Sequence, residues 1–187
     1  YRLTSFVQKP IEAADDGTPP IWGEPKESHI KKANRLIEYL DIDPDEVKLD
    51  PPPKYKDKVH KKELQLIKSY SEKLKDDEFI DEVNIQDEDL EEPFYRYLRD
   101  NELRIDKDIM KQINRDTSSL VHKFKIFYNR PRPHQVDDDI KEIDNIAGKS
   151  PSYPSGHSTN SYVMGEYLAN KFPEHADELR TIGKRVG

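Results

Sequence analysis

The chain has 187 residues, of which 33% are hydrophobic and 37% charged, with a formal charge of −7 and a mean hydropathy of −1.01. That length accommodates one domain with a real core, or a domain plus an extended arm, at the hydrophilic edge of globular composition. The negative balance argues against general attraction to nucleic acid or anionic membrane, no apolar run approaches a membrane span, and the absence of cysteine removes disulfides and thiolate metal sites.

The chain begins at Tyr1 without a signal-peptide pattern, and both ends read as trimmed, so the reading is of a soluble protein with its compartment open. Fourteen prolines, concentrated in the first third and around the motifs, point to an incomplete or partner-supported core. Three regions are predicted: 1–53 as a Pro-rich arm with one short helix, 54–104 as an acidic helical region, and 105–187 as the start of a catalytic domain.

Residues 1–27 carry Pro10, Pro19, Pro20 and Pro25 with little apolar periodicity, which predicts an extended arm; Trp22 reads as an anchor packing onto the domain or a neighbour. Ile30, Ala33, Ile37 and Leu40 predict a helix over 28–39 with Ser28 as N-cap. The acidic segment 41–46 lacks the glycine and the terminal glutamate of a calcium loop and reads as a solvated turn. Pro51, Pro52 and Pro53 form a stiff connector, and Leu64, Ile67, Tyr70 and Leu74 predict an amphipathic helix over 60–76. The Asp/Glu-rich run 76–92 reads as a solvated loop, with Pro93 in the first turn of another helix.

Asp106 opens the longest helical pattern, with Ile109, Ile113, Leu120, Phe124 and Phe127 on one stripe, ending by Arg130 ahead of Pro131. A further helix is predicted to start within 158–162 and run to Lys171. A last one near Pro173 carries Ala176, Leu179, Ile182 and Val186, an apolar face left uncovered for a later element. No strand pattern longer than a few residues stands out, so the fold class is mainly α.

Two segments carry the chemistry. Lys123-x6-Arg130-Pro131 and Lys125-x6-Arg132-Pro133 are overlapping basic motifs, and helical geometry alone does not choose between them. The second is preferred because Pro131 and Pro133 hold Arg132 extended, presenting its guanidinium at low entropic cost. Alone, such a pattern also describes an ordinary basic helix end favoured by the macrodipole and by the Asp137–Asp139 run. Downstream, Pro-Ser-Tyr-Pro-Ser-Gly-His-Ser-Thr-Asn at 151–160 joins a close-approach glycine, a hydroxyl and a titratable imidazole to a helix N-terminus that favours anions.

The pair resembles the first two signature motifs of the type 2 phosphatidic acid phosphatase superfamily, which includes soluble class A acid phosphatases and vanadium haloperoxidases. The resemblance covers roughly 105–187 and implies a helical bundle of that type, incomplete at its C-terminal end. It implies phosphate binding by Lys125, Arg132, Ser155 and Gly156, and His157 as the acid that protonates the leaving oxygen. It implies a soluble phosphatase that hydrolyses phosphomonoesters through a phosphohistidine, with no metal or other cofactor, acting on a phosphorylated small molecule. The alternatives are a vanadium-dependent haloperoxidase, with vanadate as cofactor, and a non-catalytic interaction protein that retains the fold.

The family's third motif, Ser-Arg-x5-His-x3-Asp, has no match within residues 1–187. The 187 residues alone are therefore expected to be inactive, with the site completed by a following segment or a second chain, and a homo-oligomer is possible. Neither nucleic acid nor a membrane span is expected. In sequence order, His29, His60, His122, His134 and His175 all stand in the wrong places for the family's nucleophile.

Overall fold

A computed structural model describes residues 20–71, 89–140 and 149–186. Among these are six α-helices and no strand, as the mainly α reading expects. They are α1 (Glu27–Ala33), α2 (Lys58–Ser71), α3 (Glu92–Asp100), α4 (Lys107–Tyr128), α5 (Gly156–Lys171) and α6 (Ala176–Val186), with 3-10 turns at Pro133–Gln135 and Pro173–His175.

The central helix, α4, forms where its local signals put it. The Asp106 carboxylate accepts from the Asp108 N–H at 2.9 Å, and Asn129 closes the helix in the left-handed region at φ 43° before the prolines begin. Its buried face follows the predicted stripe only at Ile109 and Ile113. Met110, Ile113, Thr117 and Val121 are buried and Lys125 continues their line, whereas Phe127 is 66% exposed. Small polar residues on this face let other elements approach closely and bond to it, which a hydrophobicity pattern cannot anticipate.

The apolar core joins α3, α4, α5 and α6 through Phe94, Leu98, Met110, Ile113, Met164, Leu168 and Leu179. Leu90, Phe94 and Leu98 precede residue 105, so this packed unit starts before the predicted catalytic region. The uncovered face expected on α6 is absent. Leu179 is fully buried, and Ile182 and Val186 pack against the same core.

Glycines let α5 and α6 meet. A Cβ on Gly183 would stand 2.8 Å from the Ser161 carbonyl oxygen and 3.6 Å from the Gly165 Cα. Gly183→Ala should therefore lose about 1–3 kcal/mol by overpacking, despite alanine's higher helix propensity. Urea denaturation measures this, and a neutral or stabilising result would mean that the helices separate freely.

The first helix ends earlier than predicted, at Ala33, and Lys26 rather than Ser28 is its N-cap, without a side-chain cap bond. The cause of the early end is tertiary. Fully buried Asp116 on α4 accepts the backbone N–H groups of Glu38, Tyr39 and Leu40 on one oxygen, at 3.0, 2.6 and 3.1 Å. Ser119 Oγ donates to the Arg35 carbonyl at 2.9 Å. These bonds draw residues 34–40 off the helical path and lay them along α4.

The second helix starts at Lys58, slightly before the prediction; residues 72–76 of the predicted helix lie outside the described residues, as does most of the acidic run. Glu63 accepts from Arg130 at 2.8 Å, and Lys68 pairs with Asp137 at 2.9 Å and Asp139 at 2.8 Å. Pro93 lies in the first turn of α3 as predicted. The segment 41–46 contains a turn, and no metal-binding group of acidic or histidine side chains occurs among the described residues.

Candidate active site

A cavity of about 660 Å³ opens between α1, the middle of α4 and the start of α5. Lys125 and Arg132 line it, together with Ser155, Gly156 and His157, whereas Lys123 and Arg130 are not among its lining residues. Lys125 sits one turn after Val121 on the interior face of α4 and is 5% exposed; Arg130 turns instead toward Glu63 on α2. The two registers that helix geometry left equal are thus placed differently by the packing.

Lys125 also ties two motifs together, since its ammonium donates a short hydrogen bond to the Pro151 carbonyl. Burial, followed by the neighbouring Arg132 charge, lowers its pKa to about 7. Arg132 is held by the prolines and by its surroundings. Its N–H donates to Gln135 Oε1 at 2.8 Å, and its Nε donates to the Ser150 carbonyl at 2.8 Å. Ser152 anchors the next loop by donating from its hydroxyl to the Pro131 carbonyl at 2.8 Å and from its N–H to the Arg130 carbonyl at 2.9 Å. Tyr153 shapes the same turn, its hydroxyl donating to the Asp50 carbonyl at 2.6 Å.

The fifth helix begins at Gly156, two residues before the predicted window. Ser155 is its N-cap, with Oγ accepting from the Ser158 N–H at 3.2 Å. That geometry places Gly156 and His157 in the first turn, where N–H groups lack intrahelical partners and the helix dipole favours negative charge. A Cβ at Gly156 would meet only Val121 Cγ1 at 3.9 Å, so the glycine leaves the approach to its amide open without being required by packing.

Trp22 anchors the arm against this loop. Its N–H donates to the Asn129 carbonyl at 3.0 Å and its carbonyl accepts from Gln135 Nε2 at 3.0 Å. Its ring lies 5.7 Å from that of His29, which lies 5.7 Å from that of His122.

Two histidines set aside on sequence order thus reach the cavity wall. His122 Nδ1 meets the Ser118 carbonyl at 2.7 Å, so Nδ1 carries the hydrogen and Nε2 is the lone-pair nitrogen of the neutral ring. Burial holds its pKa down to about 4, against the Ser118 bond and with help from Lys32, His29 and Lys125. His29 is likewise lowered, by burial first and then by Lys26, Lys32 and Lys125. His122 was legible in principle, because Ser118, His122 and Lys125 follow at helical spacing. Asn160, another lining residue, stands one turn beyond Gly156. His29 and Lys32 carried no local signal, since only the docking of α1 brings them in.

Residues 117–183 match the model of the PAP2 superfamily, the type 2 phosphatidic acid phosphatases and their relatives. The match spans both motifs, α4 from Thr117 onward, all of α5, and α6 as far as Gly183. It is the superfamily that the motifs resemble, and it supports a phosphatase-type function at that level. No curated protein and no solved structure matches the chain. None of the described helices is long and apolar enough to cross a membrane.

Proposed function

We propose that the cavity is the phosphate site of a phosphomonoester hydrolase working through a phosphohistidine intermediate. The observation that carries this reading is the convergence of Lys125 and Arg132 with the Ser155–His157 helix start on one cavity. In a chain of net charge −7, the described residues that line the cavity include five Lys or Arg side chains and two carboxylates, Asp89 and Glu91. Such a local inversion of charge suits a dianionic group.

In this reading Lys125 and Arg132 offset the charge of the phosphoryl oxygens, and the Ser155 hydroxyl and Gly156 N–H donate to them. A histidine nitrogen forms a bond to phosphorus as the bond from phosphorus to the ester oxygen breaks, and His157 passes its proton to that oxygen. Water then cleaves the phosphorus–nitrogen bond, releasing phosphate. The nucleophile is assigned to the family's third motif and to none of the residues that line this cavity. Charge neutralisation falls to protein cations and the helix end, and no cofactor enters the scheme.

His157→Ala separates the roles. Loss of a general acid should lower kcat/KM by about 10²–10⁴-fold on alkyl phosphates and far less on an aryl phosphate with an activated leaving group. Steady-state assays of the full-length protein on both substrate types measure this. Equal losses would remove His157 from the acid role, and absence of phosphatase activity in the full-length protein would remove the function.

A further inference from the structure

We propose that Lys32, on α1 and outside the family match, is a further ligand of the bound anion, facing it alongside Lys125. The proposal rests on the phosphate-site reading and extends it to a residue that neither motif contains.

Lys32 lines the same cavity as Lys125 and Arg132, and it makes no ion pair among the described residues. Lys32 on α1 and Lys125 on α4 thus line one cavity from two different helices, together with His29 and His122. An anion bound there gains from both ammonium groups. The carboxylates on the cavity wall are already engaged: Glu91 accepts from Tyr95 and Asn114, and Asp89 from the N–H groups of Glu91 and Glu92.

A second observation points to a ligand at this wall. His29 is only 7% exposed, and among the described residues its Nδ1 has no hydrogen-bond partner, while the ring bonds the Lys149 backbone; Nδ1 is thus a lone pair to which a protonated phosphate oxygen can donate. Its ring is fixed between Trp22 and His122, and the segment that follows α1 directly is held to α4 by the bonds from Asp116 and Ser119. Lys32 is therefore carried on a docked element, so its ammonium meets the anion with little further ordering.

Calorimetric titration of inorganic phosphate into the full-length protein, at low ionic strength and pH 6, tests the assignment. Lys32→Ala should weaken binding at least tenfold, Lys32→Arg should stay within about threefold, and Lys31→Ala, an exposed neighbour outside the cavity lining, should match the parent. Trp22, the only tryptophan, packs against His29, and unchanged fluorescence will show that α1 remains docked in each variant. If Lys32→Ala binds within twofold of the parent while Arg132→Ala loses more than tenfold, Lys32 is no ligand and the phosphate-site reading stands. If Lys32→Ala weakens binding only with a shifted Trp22 emission, or Lys32→Arg weakens it equally, the role is structural and the proposal fails. If the parent binds no phosphate, or Arg132→Ala binds as the parent does, the functional reading falls and this proposal with it.

Discussion

Replacing Arg132 or Lys125 with alanine should lower kcat/KM on a phosphomonoester by at least 10²-fold and weaken inorganic phosphate binding by about 10–100-fold. Each removes a charge-assisted contact to the phosphoryl oxygens from a partly or wholly desolvated site. Lys123→Ala and Arg130→Ala should stay within about threefold, because neither residue lines the cavity and Arg130 is paired with Glu63. Larger losses at those two positions would reverse the register.

Lys125 adds a pH signature. Burial, and then the Arg132 charge, lowers its pKa to about 7 from an ordinary lysine value of 10.5. Above pH 7 phosphate must therefore bring a proton to Lys125 as it binds, and affinity should fall up to tenfold per unit through the following window. For folding the sign is opposite. The unfolded chain binds the extra proton between about 7 and 10.5, so stability without added phosphate should rise across that interval, by on the order of 3–5 kcal/mol. Lys125→Met should abolish both trends, which phosphate titrations and urea denaturation from pH 6 to 10 can follow. A parent with flat profiles would mean that Lys125 stays charged throughout.

Asp116→Ala should be the most destabilising single change outside the apolar core, by about 3–5 kcal/mol. It would remove the shared acceptor of the N–H groups of Glu38, Tyr39 and Leu40, each worth about 1–3 kcal/mol less whatever rehydration recovers. Asp116→Asn keeps an acceptor oxygen and should lose roughly half as much. Hydrogen exchange at residues 38–40 should accelerate toward the free-chain rate in the alanine variant. The activity should fall with it, because the bonded segment directly follows α1, which carries the cavity-lining residues Ser28, His29 and Lys32. A loss below 1 kcal/mol with unchanged exchange would show that the segment is held by something other than the carboxylate.

Local signals accounted for much of the helical order. The Asp106 cap, the prolines after Asn129 and the proline at the start of α3 each act within a turn of their own position, so they are legible from a short window. The two motifs were legible for the same reason, being contiguous strings whose chemistry is written in residue type. The start of α5 was missed by two residues because Ser155, read as a phosphate contact, also serves as the helix cap.

The sequence by itself therefore determined a mainly α chain, its longest helix, and the two motifs at 125–133 and 151–160 that the superfamily match spans. Only the tertiary structure decided which face of α4 is interior, because that depends on Asp116, Thr117 and Ser119 finding partners or close neighbours on other elements. The same packing put Lys125 inside and Arg130 beside Glu63. It also brought His29 and Lys32 to the cavity across some ninety residues of chain, a distance over which no periodicity carries information.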